Sequence, residues 1–280
     1  MKYKNKWLLD GSVQSGNSIF TNIMWNEIGR GTDLHKLEQW LDENKQTIDD
    51  LPASVFAAEP PKYTDFFRAD SIDFVKAKSG QALFSSNCSR CHGTYDKAWD
   101  APNAAGLSLD DVIKTTKVRY FANTPVINVG TDASRRLGMK SLEQLNDLAI
   151  SKKHGIVVKA QNGYVPPPLV GIWARWPYFH NNSAPSLCAV LTRTEERPKI
   201  YAAAEAINQA TDFDADCNGY PSMDKAPPEW KTNLRRIYDT TREGMHNTGH
   251  DEGVFLKDGK EIYSGTKAKH HRILKDALKA

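Results

Sequence analysis

Apolar positions recur at helical spacing in several short segments, and long polar or proline-rich stretches separate these segments. Over residues 33–50, Leu, Trp and Ile side chains fall three, four and seven positions apart, and Thr32 or Asp33 can cap the start. Residues 1–32 are instead rich in Gly, Asn and Ser, so a loop-like lead-in is expected. The pattern predicts a mainly α-helical protein with long irregular loops. Further helices are predicted over 71–87, 107–115, 141–151 and 266–280.

A central stretch, residues 164–187, has neither a helical nor a strand period. It is rich in Pro, aromatic residues and Asn. Such a segment gains little from regular hydrogen bonding and must be held by packing. We interpret it as the wall of a cofactor pocket, and a purely structural loop is the alternative.

The pentapeptide Cys88-Ser89-Arg90-Cys91-His92 carries the clearest chemistry in the chain. Cys-x-x-Cys-His is the attachment motif of c-type haem, in which two thiols bind the vinyl groups and the histidine supplies an axial ligand. A redox dithiol would need a βαβ context, which the sequence lacks. A structural zinc site would need a second Cys/His pair, and none follows at ligand spacing. The motif therefore predicts one covalently bound haem c.

The two remaining cysteines, Cys188 and Cys217, are predicted to form a disulfide in an oxidising compartment, with two free thiols as the alternative. Covalent haem is normally attached outside the cytoplasmic membrane, so both features predict a periplasmic or otherwise exported protein. The first twenty residues contain only a short apolar run, too short for a signal peptide, and no stretch is long enough to span a membrane. We expect a truncated start, with export arranged otherwise as the alternative.

Bulk composition adds little about partners. The 280 residues include seven Trp, which suits packing around a large flat cofactor, and they are enough for one large or two small domains. A net charge of +3 gives no argument for a nucleic-acid partner. No arrangement of nucleophile and base, or of paired carboxylates, points to a hydrolase.

An acidic turn resembles the opening of a calcium loop, through Asp214, Asp216, Asn218 and Gly219. The closing position is Lys225, where an EF-hand needs a bidentate Glu. An EF-hand is therefore disfavoured, and calcium is kept only as a minor alternative.

Three further stretches carry a family resemblance. They are Ala-Trp-Asp-Ala-Pro over 98–102, the block containing Pro-Pro-Leu-Val-Gly-Ile-Trp-Ala and Pro-Tyr-Phe-His-Asn-Asn-Ser-Ala-Pro-Ser-Leu, and Asn-Thr-Gly-His over 247–250. From about residue 28 onward the sequence resembles the bacterial dihaem cytochrome c peroxidase-like proteins, in the branch that includes the dihaem rubber oxygenases. The resemblance implies a cytochrome c-like domain with long loops. It also implies that His250 is the axial ligand opposite His92.

The sequence departs from this family in having a single haem motif, whereas members usually carry two. We therefore expect residues 1–70 to be an N-terminal extension with one helix and residues 71–280 to be the haem domain. The partner is then a redox protein or a second haem domain. The residues alone leave other sixth ligands open, and these are Met139, Met223, Met245, His180 and His246. They also leave open an iron with no sixth ligand.

A six-coordinate haem with two axial histidines favours electron transfer, because the iron changes oxidation state with little ligand rearrangement. The candidate pocket residues are Trp99, Leu169, Trp173, Tyr178 and His180. We interpret His180 as a hydrogen-bonded histidine that fixes the loop near a haem propionate. The alternatives are a peroxidase or oxygenase that acts with a missing or separate haem domain, and a structural subunit that retains haem for folding.

Overall fold

The structure is a computed structural model. It describes residues 6–14, 17–114, 116–119, 121–252, 254–258 and 260–261, so the helix predicted over 266–280 lies outside the described residues. The chain divides into two compact units. The first comprises Met1–Pro60, Tyr120–Asn128 and Ala133–Pro167, and the second comprises Pro61–Arg119, Val129–Asp132 and Pro168–Ala280. These bounds differ from the expected break after residue 70, because later segments return to the first unit. The assignment of a haem domain to 71–280 stays a prediction.

Among the described residues, helices account for 43% and strands for 11%, so the fold is mixed and the prediction of a mainly α protein is only partly supported. The α-helices are α1 (Ser18–Gly29), α2 (Leu34–Glu43), α3 (Lys45–Ala57), α4 (Phe74–Asn87), α5 (Ser89–His92), α6 (Leu109–Lys114), α7 (Ser134–Gly138), α8 (Ala149–Lys153), α9 (Leu187–Val190) and α10 (Pro228–Lys231). Short 3₁₀ turns span Tyr63–Asp65, Ala69–Ser71, Ala98–Asp100, Ala104–Gly106, Met139–Asp147, Ile172–Ala174, Thr194–Glu196 and Leu234–Arg236. The strands are β1 (Thr94–Lys97), β2 (Thr116–Arg119), β3 (Ile200–Ala202), β4 (Ile237–Asp239), β5 (Leu256–Lys257) and β6 (Lys260–Glu261). No helix in the described ranges has the length and apolar character needed to cross a membrane.

The N-terminal unit begins with a helix where the sequence predicted a loop-like lead-in. Asn17 caps α1, because its side-chain oxygen accepts hydrogen bonds from the Ile19 and Phe20 N–H groups at 3.0 Å each. Phe20 and Met24, one turn apart, are buried in the core of this unit. Tertiary burial therefore overrides the poor helix propensity of this segment.

The predicted helix over 33–50 is interrupted at Asn44, which ends α2 and precedes α3. Leu37, Leu41 and Ile48 are buried in the same core as α1. The other two members of the predicted stripe, Leu34 and Trp40, are 41% and 46% exposed. The buried face of α2 and α3 therefore contains fewer apolar residues than the helical spacing predicted. The N-terminal segment consequently holds three helices rather than the one expected.

Two further helix predictions gave mixed results. The helix expected over 141–151 is instead the 3₁₀ segment Met139–Asp147 followed by α8. The helix entering the cysteine motif is confirmed as α4, which Asp73 caps by accepting the Lys76 N–H at 3.1 Å. The strand β1 follows the motif and pairs antiparallel with β2, with Thr94 opposite Arg119.

The central block contains little regular structure, as predicted, and its end is fixed by the predicted disulfide. Cys188 in α9 is bonded to Cys217, with the two Cα atoms 5.1 Å apart. The Leu187 N–H donates to the carbonyl oxygen of Cys217 at 2.9 Å, so backbone pairing and the covalent link act at the same place. The strands β3 and β4 follow the central block along the chain and pair antiparallel, with Tyr201 opposite Tyr238.

Replacing both Cys188 and Cys217 by Ala is expected to lower the free energy of unfolding by roughly 3–4 kcal/mol, because the closed loop restricts the unfolded chain. Denaturant unfolding under non-reducing conditions measures this change. Wild-type protein in reductant is the control and should approach the variant. Equal unfolding midpoints for oxidised wild type and the variant would contradict the expectation.

Candidate functional site

The cysteine motif forms one helical turn directly after α4. The Cys88 N–H donates to the carbonyl oxygen of Phe84 at 2.8 Å, which closes α4. The Cys91 and His92 N–H groups both donate to the carbonyl oxygen of Cys88 at 3.0 Å. The two thiols are therefore one turn apart, on neighbouring positions of the helix surface.

Both motif thiols are free and partly buried. Burial, and then the neighbouring Cys91, raise the pKa of the Cys88 thiol to about 11. A redox dithiol of the thioredoxin kind needs a lowered thiol pKa so that the thiolate forms at neutral pH. The environment of Cys88 does the opposite and disfavours that alternative.

Tyr95 links the motif to the central block. Its hydroxyl donates to the carbonyl oxygen of His92 at 3.1 Å and accepts the Leu169 N–H at 2.7 Å. Gly93, with a φ of +80°, allows the chain to turn sharply between His92 and β1. The Tyr95 side chain therefore connects Leu169, a predicted pocket residue, to the cysteine motif through two hydrogen bonds.

His250 lies on a loop that approaches residues 129–132 very closely. Its N–H donates to the carbonyl oxygen of Val129 at 2.9 Å. A Cβ atom on Gly249 would lie 2.5 Å from the Thr131 nitrogen, and the φ of Gly249 is +94°. Only glycine adopts this positive φ easily and also leaves room for the Thr131 backbone without displacing the loop.

Side chains from the central block and the segment after it hold the same loop. Asn181 Nδ2 donates to the carbonyl oxygens of Gly244 and His246, at 3.1 Å each. Asp251 Oδ1 accepts the Thr194 N–H at 2.9 Å. The remaining anchors are the hydrogen bonds Asn247 Nδ2 to the Pro198 oxygen (2.8 Å), Arg197 Nη1 to the Asn247 oxygen, and the His246 N–H to Asp132 Oδ2 (3.2 Å).

The imidazole of His250 is stacked on an aromatic ring. Phe179 lies parallel to it, with ring centroids 5.0 Å apart and an interplanar angle of 7°. Phe179 has a φ of +66°, which is uncommon for an aromatic residue, so the fold imposes this placement against local preference. The ring plane of His250 is therefore fixed from one side.

Burial, and then the positive charges of His92, Arg197 and His180, lower the pKa of His250 to about 3, against the opposing effect of Asp251. The structure thus brings His92, His180 and His250 within electrostatic range of one another. The ring of His250 is neutral at physiological pH, and its Nδ1 is buried with no hydrogen-bond partner among the residues that the structure describes. Neutral imidazole is the form that binds a metal ion.

The other predicted pocket residues contact protein groups. Trp99 is buried against Phe74, and its indole N–H donates to Gln81 Oε1 at 2.6 Å. Trp173 donates to the carbonyl oxygen of Pro61 at 3.2 Å. The hydroxyl of Tyr178 accepts from Asn218 Nδ2 at 2.6 Å, and burial raises its pKa. These contacts stabilise the second unit, and the pocket roles of the three residues stay predictions.

The alternative sixth ligands lie in other surroundings. Met139 is buried in the apolar core of the first unit, whereas His92 belongs to the second. Met223 packs against the cluster of Ala202, Ala226 and Trp230. His246 Nδ1 lies 3.0 Å from the carbonyl oxygen of Thr240, so this ring is held by the backbone. Of Met245, the structure describes the N–H donating to the Arg242 oxygen at 3.0 Å.

The acidic turn is closed by its own backbone. Asp214 Oδ1 accepts the N–H groups of Asp216 and Cys217, at 2.9 and 3.0 Å. Within the described ranges, no group of three or more His, Cys, Asp or Glu side chains is arranged to hold a metal ion. The calcium alternative gains no support from this turn.

The residues of the second unit fit a c-type haem. Two free thiols lie one turn apart beside His92, and the neutral imidazole of His250 has a ring nitrogen with no partner in the described part of the protein. Sequence reasoning missed Phe179, Arg197 and Gly249. Phe179 and Gly249 stand inside the stretches that carried the resemblance, so position next to a candidate ligand was an available signal, whereas no sequence pattern marked Arg197.

Comparison with known proteins agrees with this class of site. A family model described as RoxA-like, cytochrome c-like, matches residues 163–202. The match indicates a cytochrome c-like domain, implies haem c and a haem-type redox function, and supports the dihaem peroxidase-like branch. It covers the central block, Phe179 and Arg197, and not the cysteine motif.

Two relatives from Sinorhizobium fredii (strain NBRC 101917 / NGR234) are similar over most of the chain. The uncharacterized protein y4iM is 27% identical over 202 residues, which are 68% of this chain and 44% of y4iM. The uncharacterized protein y4iJ is 25% identical over 268 residues, covering 78% of this chain and 40% of y4iJ. The chain therefore spans about two fifths of the length of these curated relatives.

Replacing Gly249 by Ala is expected to destabilise the protein by about 1–3 kcal/mol, because the new Cβ strains the backbone at positive φ and meets Thr131. The Gly29→Ala variant is the matched control, since a Cβ there meets nothing within 4 Å. It should be neutral or stabilising by up to about 1 kcal/mol. Thermal or denaturant unfolding compares the two, and equal effects would argue against a tight approach at Gly249.

Proposed function

We propose that this chain is a c-type cytochrome that transfers electrons. Cys88 and Cys91 would attach the haem, and His92 and His250 would be its axial ligands. The observation that carries the proposal is the surroundings of His250, whose ring is kept neutral, is stacked on Phe179 and interacts electrostatically with His92. Haem supplies one-electron exchange when it is bound in such a site.

The protein groups would favour transfer over catalysis by filling both axial positions with imidazole. An imidazole whose loop is held by several hydrogen bonds would change its position little between oxidation states. Peroxide or oxygen would then have to displace His250, whose loop is tied to residues 129–132, to Asn181 and to Thr194. Two imidazoles also favour ferric iron relative to a thioether ligand, which lowers the reduction potential.

A periplasmic or otherwise exported location belongs to the same proposal. The disulfide between Cys188 and Cys217 supports it, because such bonds persist in oxidising compartments. The proposed partner is a redox protein or a second haem domain.

The second candidate function is a peroxidase or oxygenase of the dihaem peroxidase-like family. The RoxA-like match over residues 163–202 favours it. That function would need an open axial position on some haem, in this chain or in a partner. The spin state of ferric iron in this chain, together with the turnover of peroxide in the presence of an electron donor, therefore separates the two functions.

The His250→Ala variant is expected to convert a low-spin ferric signal into a high-spin one, because the iron loses a strong-field nitrogen ligand. Paramagnetic resonance and electronic spectra of the ferric protein measure this. His246→Ala, in the same loop, is the matched control and should stay low-spin. A high-spin wild type, or an unchanged spectrum for His250→Ala, would refute the axial pair.

The double variant Cys88→Ala/Cys91→Ala is expected to lose covalent haem almost completely, because both thioether sulfurs are removed. Haem staining after denaturing electrophoresis shows whether haem stays attached to the chain. Cys188→Ala/Cys217→Ala removes the same number of cysteines and should keep covalent haem. Retention of haem by the first variant would exclude the proposed attachment.

A further inference from the structure

Arg197 carries a buried positive charge whose hydrogen-bond acceptors are all neutral. The residue is only 2% exposed. Its Nε donates to the carbonyl oxygens of Ala189 and Thr192, at 3.0 and 2.8 Å. Its Nη1 donates to the carbonyl oxygen of Asn247 and to the hydroxyl oxygen of Thr194, the latter at 3.3 Å. None of these acceptors is charged, so the hydrogen bonds hold the guanidinium in place but do not balance its charge.

One corner of the guanidinium has no acceptor. Arg197 Nη2 is buried and makes no hydrogen bond within the described part of the chain. Asp251 interacts with the charge of Arg197, but its carboxylate accepts instead from the N–H and hydroxyl groups of Thr194. A buried donor on a charged group normally has a partner, because leaving it unpaired costs its full desolvation energy.

Arg197 also belongs to the immediate surroundings of His250. Its Cζ lies 5.0 Å from the centroid of the Phe179 ring, and the same ring is stacked on His250 at 5.0 Å. Its Nη1 holds the carbonyl oxygen of Asn247, in the loop that carries His250. The unpaired donor thus belongs to a side chain that packs on Phe179 and holds the loop of His250, beside which the proposed haem would bind.

We propose that Arg197 binds a carboxylate that the protein itself does not supply. The planar guanidinium fork matches a carboxylate better than any other common anion except phosphate. The inference rests on the proposed haem site, because haem carries two propionate carboxylates on its edge. A small free carboxylate has the same chemistry, so the experiment must distinguish the two sources. In either case Arg197 is a positioning residue for the group next to His250.

The test compares the haem-loaded wild type with the Arg197→Gln and Arg197→Lys variants. Arg193→Gln is the matched control, since Arg193 Nη2 lies 2.6 Å from Glu195 Oε1 and already has a carboxylate partner in the protein. Resonance Raman spectra report the propionate bending mode. This band should shift in Arg197→Gln, shift less in Arg197→Lys and stay in place in Arg193→Gln.

A titration with sodium acetate against sodium chloride forms the second arm, with the haem spectrum and the unfolding temperature as readouts. A haem propionate partner predicts no saturable acetate effect in the wild type. A saturable effect in the wild type that Arg197→Gln abolishes would support a free carboxylate as the occupant. An unshifted Raman band together with no acetate effect would overturn the proposal.

If Arg197→Gln does not accumulate, Arg197→Lys carries the test, because an ammonium changes the hydrogen-bond geometry while keeping the charge. An unshifted band in that variant, together with no saturable acetate effect in the wild type, overturns the proposal. The ferric spin state of the same samples reports on His92 and His250 separately. A high-spin wild type would refute the proposed function while the Raman comparison still decides whether Arg197 holds a carboxylate.

Discussion

The geometry of the candidate site depends on the close approach of Gly249 to Thr131. Because a Cβ atom at Gly249 would lie 2.5 Å from the Thr131 nitrogen, the two backbones touch without intervening side chains. This contact lets the His250 N–H reach the carbonyl oxygen of Val129. The hydrogen bond fixes the position of the His250 backbone, from which the imidazole side chain extends. Asn181 and Arg197 then hold the neighbouring carbonyl groups of the same loop. A histidine far from the motif in sequence is thereby held in one position.

Electrostatics at this site follow from burial rather than from ion pairing. Positive charge from Arg197 and the loss of hydration both disfavour a protonated His250. Phe179 lies against both groups and contributes a ring face that interacts with the cation and stacks on the imidazole. A neutral imidazole, two thiols and a buried guanidinium together form an environment suited to a large anionic cofactor with a metal centre.

The fold was predictable where local signals and tertiary packing agree. The helix α4, the irregular central block and the disulfide between Cys188 and Cys217 follow from spacing, composition and cysteine count. The first helix was missed because Gly, Asn and Ser dominate its surroundings, and burial of Phe20 and Met24 outweighs that composition. The break at Asn44 was missed because hydrophobic spacing alone does not show where a chain changes direction.

The sequence by itself predicted the cofactor chemistry, because the attachment motif of c-type haem places two cysteines and a histidine at one fixed local spacing. It also determined the disulfide partners, since only two cysteines remained. Only the tertiary structure decided which residues surround His250. Phe179 reaches His250 because its backbone adopts a positive φ, and Arg197 reaches it through a hydrogen bond to a distant loop. No periodic pattern in the sequence marks either residue. Long-range contacts of this kind depend on how segments pack, which local spacing does not encode.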